Sequence, residues 1–392
     1  MPPKAYPQLL SVDPLSASEH THTLILLHGR GSNASRFGHE LLRSANLPER
    51  LPTVKFVFPS ARRRRSTILK KIPIHQWFDN YSLEDPNQRT DLQVEGLCET
   101  AAFLRDLVVH EAEILREKGY EDHDVYSRIV LGGLSQGCAA GVFSLLGGGW
   151  GENGQEALGA FCGMSGWLPF QEQLSEILDF QIEIDRESLE GLEEGMDQLG
   201  IEFSEGSNEE DTDADTDIEE EEDDDDDDDC ESNDDNVNIG EDDDSSTDEY
   251  VKYKNNEDQT SFDPFDGDSD DSDSVAGTEE SSRTISAINH VRDILDLPPL
   301  LSTGEKENPT SCSTTHASIS YLRTPVFLGH GAADPKVSVR LGEQMVQLLA
   351  GPLDMDVTWK RYEDFGHWYK VPDEIDDLID FLRTKVGVSV QT

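Results

Sequence analysis

Ser135 stands at the centre of a Gly-x-Ser-x-Gly pattern made with Gly133 and Gly137. An apolar, β-branched run precedes the pattern at 128–132, and the small residues 138–141 follow it. This order predicts a strand, a sharp turn and a helix, with the serine hydroxyl lifted clear of the sheet as a nucleophile. The glycines remove side chains that would collide in the turn. The helix that begins there directs free N–H groups at the reacting atoms.

A serine nucleophile needs a base, an acid that orients the base, and donors for an oxyanion. Two later loops, each directly after a predicted strand, supply the first two: Asp334 in residues 329–335 and His367 in residues 363–368. We predict Ser135 as nucleophile, His367 as general base and Asp334 as its orienting acid, because this chain order is found in α/β-hydrolases. The alternatives are His330 for the base and Asp364 or Asp373 for the acid.

The oxyanion donors are predicted to be backbone N–H groups. One belongs to Gln136, directly after the nucleophile, and the other to Arg30 in the turn His28-Gly29-Arg30-Gly31. His28 is expected to shape that turn rather than to react. Because the Arg30 donor is main chain, its side chain should contribute little to the chemistry.

Strands alternate with helices on both sides of these motifs. Apolar runs predict strands at 23–27, 54–58, 128–132, 158–164, 325–329 and 357–362, and three- and four-residue spacing predicts helices at 91–119, 136–146, 337–349 and 373–386. This alternation indicates an α/β fold with a mostly parallel central sheet and helices on both faces. The site should lie beyond the carboxyl ends of the strands.

One segment carries nearly all of the negative charge. Residues 171–280 hold 48 of the 82 acidic residues and only three basic ones, a net charge of −45 out of −51 for the chain. Residues 204–282 are too poor in apolar side chains to offset their ordering entropy, so we predict disorder there. We therefore expect one domain, 1–170 plus 320–392, interrupted by a mostly disordered insertion, 171–319, with short helices near 172–180 and 285–297.

The five cysteines are scattered, without metal-ligand spacing, and no cofactor or metal is implied. We see no signal-peptide pattern near Met1 and no apolar run of the ~20 residues that span a bilayer. The sequence therefore predicts a reduced, soluble protein of the cytoplasm, with the nucleus as a further compartment.

Seven short motifs resemble the acyl-protein thioesterase family, also called the phospholipase/carboxylesterase family of α/β-hydrolases. They lie in family order within about 20–170 and 320–388, at 27–31, 59–61, 77–79, 132–137, 165–169, 329–335 and 366–367. By this resemblance the catalytic serine, aspartate and histidine fall on Ser135, Asp334 and His367, and the oxyanion donors on Arg30 and Gln136. The family hydrolyses thioesters of palmitoylated cysteines, lysophospholipids and short esters, with the acyl chain in an apolar channel.

Three departures from the family pattern affect substrate preference. The first is the acidic insertion, and the second is Arg30, where a leucine is common. The third is a basic loop formed by Arg62, Arg63, Arg64, Arg65, Lys70 and Lys71. Four aromatic or apolar residues near the expected site could form the acyl-binding wall, or could simply be core: Trp77, Phe78, Trp167 and Leu168.

The resulting prediction is a serine hydrolase that removes palmitoyl groups from proteins through an acyl-enzyme. A general carboxylesterase or lysophospholipase is the alternative within the same chemistry, and an acidic, non-catalytic scaffold is the alternative from another class. Acylated proteins or lipid esters are the expected partners, with transient contact to a membrane surface. The acidic insertion could bind the basic loop or basic partners, whereas nucleic acid is excluded by like charge.

Overall fold

A seven-stranded sheet runs through the computed structural model, which describes residues 6–15, 19–182, 273–300 and 319–391. Its strands are β1 (Leu10–Val12), β2 (His22–Leu27), β3 (Val54–Phe58), β6 (Ile129–Leu134), β7 (Ala160–Met164), β8 (Val326–Gly331) and β9 (Val357–Tyr362). Their order is β1-β3-β2-β6-β7-β8-β9. The β1–β3 pair is antiparallel, and all other neighbours are parallel. A separate hairpin joins β4 (Arg63–Ser66) to β5 (Ile72–His75).

Helices cover both faces of this sheet. They are α1 (Ala34–Ser44), α2 (Leu47–Arg50), α3 (Val94–Glu117), α4 (Asp122–Val125), α5 (Gln136–Gly147), α6 (Gln171–Leu178), α7 (Asp273–Ile294), α8 (Val339–Ala350) and α9 (Asp373–Phe381). Apolar residues of α3, α5, α6, α7 and α8 fill one core cluster, and those of α1 and α9 fill the other. The central strands are apolar along their length because both of their faces are covered.

The predicted α/β-hydrolase class is confirmed, since a parallel sheet carries helices on each face. The predicted strands and long helices agree with the structure to within a few residues at their ends. Helices α1, α2 and α4 were not predicted, and neither were two features of the strands. β1 has only three residues, and the β4–β5 hairpin lies in the segment interpreted as a basic loop. Neither carries the alternating or continuous apolar pattern from which strands are inferred.

Part of the predicted insertion belongs to the core of the domain. Helix α7 begins at Asp273, whereas the sequence predicted disorder up to residue 282 and a helix only from about 285. Its apolar face is fully buried among the residues of the larger core cluster and comprises Ala287, Ile288 and Val291, with Leu295 directly after the helix. The start of α7 was missed because its first residues are polar and show no helical apolar spacing. The rest of the predicted disordered segment, 204–272, lies outside the described residues.

All described residues belong to one compact unit. Within the described ranges, no helix combines the length and the apolar character that a membrane crossing requires.

Candidate active site

Ser135 occupies a sharp turn between β6, which ends at Leu134, and α5, which begins at Gln136. Its backbone has φ 56° and ψ −120°, a conformation that typically costs about 1–3 kcal/mol for a residue other than glycine. The Ser135 N–H donates to the carbonyl oxygen of Met164 at 2.8 Å, which fixes the turn against β7. The serine is thus held in a strained backbone conformation at the carboxyl end of the sheet.

The glycines of the turn are required by close approaches of the backbone. A Cβ atom on Gly137 would lie 2.4 Å from the carbonyl oxygen of Leu27, and one on Gly133 would lie 2.6 Å from the carbonyl carbon of Gly137. Real Cβ atoms do not approach other atoms so closely, so any side chain here would push α5 away from β6 or β2.

His367 and Asp334 form a direct pair although they follow different strands. Nδ1 of His367 lies 2.7 Å from Oδ2 of Asp334, whose side chain is fully buried. The other carboxylate oxygen, Oδ1, accepts the backbone N–H groups of Lys336 at 2.8 Å and Val337 at 3.0 Å. An ionised carboxylate can only accept, so Nδ1 of His367 carries the proton and Nε2 is left as the basic nitrogen.

The Asp334 carboxylate is ionised at neutral pH. Burial would raise the pKa of Asp334, but hydrogen bonds from His330 and His367 and from the backbone of Val337 and Lys336 outweigh burial. The net result is a pKa well below the ordinary value for aspartate. A permanent negative charge therefore faces the imidazole of His367.

The residues proposed as alternatives occupy other positions. His330 has only 1% of its surface exposed, and its Nε2 lies 2.9 Å from the carbonyl oxygen of Val337 and 3.3 Å from Asp334. It therefore supports the carboxylate from the buried side. Asp364 is exposed in a turn with φ 54°, and Asp373 pairs with Lys370 at 2.7 Å.

The segment after β7 connects the serine turn to the histidine loop. Ser165 donates its N–H to the Gly329 carbonyl at 2.8 Å and its hydroxyl to the Trp368 carbonyl at 3.1 Å. On its other side, a Cβ on Gly166 would lie 3.4 Å from the Ser135 carbonyl oxygen. Ser165 begins the 165–169 motif, but the sequence assigned it no role, because its partners Gly329 and Trp368 are far away in the chain.

The turn predicted to supply an oxyanion donor lies beside Ser135. A Cβ on Gly29 would be 3.6 Å from the Cβ of Ser135. Nε2 of the fully buried His28 accepts the Ala61 N–H at 2.9 Å, and Nδ1 lies 2.7 Å from the Gly29 carbonyl. Burial lowers the pKa of His28 to about 4, so this imidazole is neutral and serves to shape the turn.

The Gln136 side chain ties the helix start to the segment 77–80. Its Oε1 accepts the Trp77 backbone N–H at 3.0 Å, and its Nε2 donates to the Phe78 carbonyl and to Asn80 Oδ1, each at 2.8 Å. The Trp77 indole N–H donates to the His28 carbonyl at 2.8 Å. The backbone N–H groups of Gln136 and Arg30, the predicted donors, have no acceptor among the described residues.

Part of the chain is similar to known proteins. The family model described as phospholipase/carboxylesterase matches residues 14–182. Residues 14–182 are thus similar to the proteins of that family. Asp334 and His367 lie beyond the matched range, which covers less than half of the chain.

Curated relatives carry the name acyl-protein thioesterase 1. The Yarrowia lipolytica protein is 31% identical over 155 residues, which cover 40% of this chain and 61% of the relative. The Mycosarcoma maydis protein is 29% identical over 169 residues, which cover 43% of this chain and 66% of the relative. Each match therefore spans less than two thirds of the relative's length. The crystal structure of Zea mays acyl-protein thioesterase 2 has the same fold, with a TM-score of 0.50 and 18% sequence identity. The superposition covers 97% of this chain and 100% of the maize chain.

The four residues predicted to form an acyl wall are packed inside the domain. Trp77 and Phe78 have no exposed surface, and Trp167 and Leu168 are 2% and 1% exposed. The rings of Phe78 and Trp167 meet edge to face, with centroids 6.1 Å apart. An acyl chain could contact these side chains only after a neighbouring segment moved.

Half of the cations of the basic loop have acidic partners. Arg62 and Arg64 both pair with Glu99 on α3, and Lys71 lies 3.7 Å from Asp79. Arg63, Arg65, Lys70 and the paired Lys71 are exposed on or near the β4–β5 hairpin. The predicted contact with the acidic insertion involves residues outside the described ranges.

In the described ranges, no cluster of His, Cys, Asp and Glu has the arrangement of a metal site.

Proposed function

We propose that this protein is a serine hydrolase of acyl esters and thioesters, with Ser135, His367 and Asp334 as its catalytic triad. The observation that carries the proposal is the 2.7 Å contact between His367 and Asp334, in loops that Ser165 connects to the strained Ser135 turn. The family match and the relatives named acyl-protein thioesterase support the same chemistry.

In the first half-reaction the Ser135 hydroxyl attacks the acyl carbonyl carbon and passes its proton to Nε2 of His367. The negative charge that develops on the carbonyl oxygen is stabilised by the backbone N–H groups of Gln136 and Arg30. The bond to the leaving sulfur or oxygen then breaks, and His367 returns the proton to the leaving group. An acyl ester on Ser135 remains.

In the second half-reaction water attacks this ester. His367 takes a proton from the water, and a second oxyanion forms at the same donors. When it collapses, Ser135 leaves with the proton from His367, and the free carboxylic acid departs. The ionised Asp334 stabilises the charged imidazole in both halves and keeps Nδ1 protonated.

Within this chemistry we favour S-acylated proteins as substrates, because the curated relatives are named acyl-protein thioesterase. Palmitate as the acyl group and the cytoplasm as the compartment are parts of the same proposal. A general carboxylesterase or lysophospholipase is the second candidate. The burial of Trp77, Phe78, Trp167 and Leu168 favours it, since a short ester can reach Ser135 without a movement of these side chains. Each CH₂ of a longer acyl chain that enters an apolar site would contribute about 0.8 kcal/mol to the binding free energy.

Relative rates on three substrates distinguish the two candidates. The substrates are an S-palmitoyl peptide, a lysophospholipid and a short nitrophenyl ester, each tested with the wild type, Ser135→Ala and the control Ser144→Ala. Ser144 lies on the same helix as the nucleophile turn and bonds only to the Ala140 carbonyl. A kcat/KM for the peptide above that for both esters supports the thioesterase. Hydrolysis of the short ester alone supports the carboxylesterase.

A fluorophosphonate probe decides between an enzyme and a non-catalytic scaffold. The wild type and Ser144→Ala should be labelled at Ser135, and Ser135→Ala should not. An unlabelled wild type would leave the scaffold as the better description.

The exposed Arg63, Arg65 and Lys70 would supply the positive charge for transient contact with an anionic membrane, and the acidic segment would compete for them. Removal of residues 204–270 keeps α7 intact and tests this part of the proposal. We expect the shortened protein to bind anionic vesicles more tightly than the full chain at low salt. Equal binding by the two proteins would reject the competition.

A further inference from the structure

Glu374, in the first turn of α9, is fully buried and has no part in the chemistry described above. Its Oε2 accepts the backbone N–H of Lys370 at 2.9 Å, while its own N–H donates to the Lys370 carbonyl at 3.0 Å. Its Oε1 has no hydrogen-bond partner in the described part of the chain. A Cβ on Gly329 would lie 2.1 Å from Oε1, so the carboxyl group packs directly on β8.

These contacts involve the loop that carries the proposed base and the strand beside it. Lys370 ends the short loop that carries His367, and Gly329 precedes His330, which supports Asp334. The loop is also held by the hydrogen bond from Ser165 to the Trp368 carbonyl and by the buried Tyr369, whose hydroxyl lies 3.2 Å from the Ser44 hydroxyl. The Glu374 carboxyl therefore joins the histidine loop to the strand that leads into the aspartate loop.

We propose that Glu374 is a positioning residue, which holds the loop 366–370 against β8 so that His367 stays paired with Asp334 and aimed at Ser135. This inference rests on the proposed hydrolase function. Glu374 itself touches no reacting atom, and it acts through the Lys370 backbone.

The groups that face Glu374 favour its neutral form. Asp377 and Asp373 lie on its own helix, and the Tyr362 hydroxyl of β9 donates to Asp377 at 2.9 Å. The nearby cations are engaged elsewhere, because Lys360 of β9 lies 3.3 Å from Asp377 and Lys370 lies 2.7 Å from Asp373. From α5, the buried thiol of Cys138 faces the same region, and from β8 the backbone of Gly329 does.

Burial raises the pKa of Glu374 to about 8, with a smaller contribution from Asp377, against the opposing hydrogen bond from Lys370. The carboxyl group is therefore protonated at pH 7. Ionisation at higher pH would place an unpaired negative charge in the core beside Gly329. Such a charge can be relieved only by hydration, and hydration requires the loop 366–370 to separate from β8.

The pH dependence of kcat/KM for a short nitrophenyl ester, between pH 6 and 10, tests the proposal. Wild-type kcat/KM should fall about tenfold per pH unit above about 8, as expected when one proton controls the active form. Glu374→Gln keeps the shape and the acceptor without the titration, so its kcat/KM should match the wild type at pH 7 and stay flat at higher pH. Asp376→Asn, an exposed acid on the same helix, should follow the wild-type profile.

Glu374→Ala should lower kcat about 10- to 100-fold at unchanged KM, the effect expected of a misplaced catalytic group. If the alanine variant does not fold, the glutamine variant alone decides. An alkaline decline that persists in Glu374→Gln would overturn the proposal.

Hydrogen exchange of residues 363–372 gives a readout that needs no activity. After correction for the intrinsic rate, wild-type protection should fall above pH 8, and that of Glu374→Gln should not. If Ser135→Ala retained full activity the hydrolase proposal would fail, and this exchange difference would still support or overturn the role of Glu374.

Discussion

His367 and Asp334 lie 33 residues apart in the chain, and yet Nδ1 of the first is 2.7 Å from Oδ2 of the second. Two parallel strands, β8 and β9, end side by side and bring the two loops together. The pairing selects one histidine tautomer because the ionised carboxylate can only accept a hydrogen bond.

Asp334→Asn should reduce kcat by about 10³- to 10⁴-fold, because an amide that donates to the ring stabilises the tautomer with Nδ1 as the acceptor. KM for a short ester should stay within a few-fold, since Asp334 is buried behind His367. Steady-state kinetics on a nitrophenyl ester provide the measurement. A kcat within tenfold of the wild type would mean that another group orients His367.

Gly137→Ala should destabilise the fold, because its Cβ would lie 2.4 Å from the carbonyl oxygen of Leu27. Overpacking of this kind typically costs about 1–3 kcal/mol or more. Urea unfolding measures the change. Gly29→Ala is the matched control, because a Cβ at position 29 would lie no closer than 3.6 Å to the nearest atom, the Cβ of Ser135. The Gly29→Ala variant should unfold at nearly the same urea concentration as the wild type. Equal stability of both variants would contradict the close approach of α5 to β2.

Gln136→Ala should lower stability by about 2–3 kcal/mol, because it leaves buried polar groups of the segment 77–80 without partners. Arg30→Ala should change kcat less than about threefold, because the oxyanion donor at that position is the main chain. Chemical unfolding and steady-state kinetics of both variants test the contrast. A large kcat loss in Arg30→Ala would assign the guanidinium a direct role.

Stability should decline as the pH falls from about 6.5 to about 4, because the pKa of His28 is lowered to about 4 in the folded chain, chiefly by burial. The sign follows from proton uptake: between these values the unfolded chain binds a proton at His28 that the folded chain does not. Burial lowers the pKa values of His20 and His22 to about 4 as well, so the slope should exceed that of one proton. Urea titrations at several pH values measure the free energy of unfolding. A free energy that does not change between pH 6.5 and 4 would contradict the burial of these histidines in their neutral form.

The three proposed reacting residues could be found in the sequence because they lie at strand ends with recognisable local patterns. Ser135, between two glycines after an apolar strand, is one example. Glu374 and Ser165 could not be found in this way. Their roles depend on contacts with Lys370, Gly329 and Trp368, which only the packed sheet brings near. The core packing of α7 was similarly hidden, because its first residues resemble the acidic segment in composition.

The burial of four side chains could not be predicted from the sequence: Trp77, Phe78, Trp167 and Leu168. In the sequence, aromatic residues near a site are equally consistent with a substrate-binding wall and with the hydrophobic core. Only the exposed fractions of their side chains distinguish the two interpretations. Whether a long acyl chain displaces a neighbouring segment to reach them stays a prediction.

The most direct test of the catalytic triad is the hydrolysis of a short nitrophenyl ester and of an S-palmitoyl peptide by the wild type, Ser135→Ala and His367→Ala. We predict measurable turnover by the wild type and a loss of about 10³-fold or more in each variant, with circular dichroism spectra unchanged. Turnover by Ser135→Ala at the wild-type rate would contradict the assignment of Ser135 as the nucleophile.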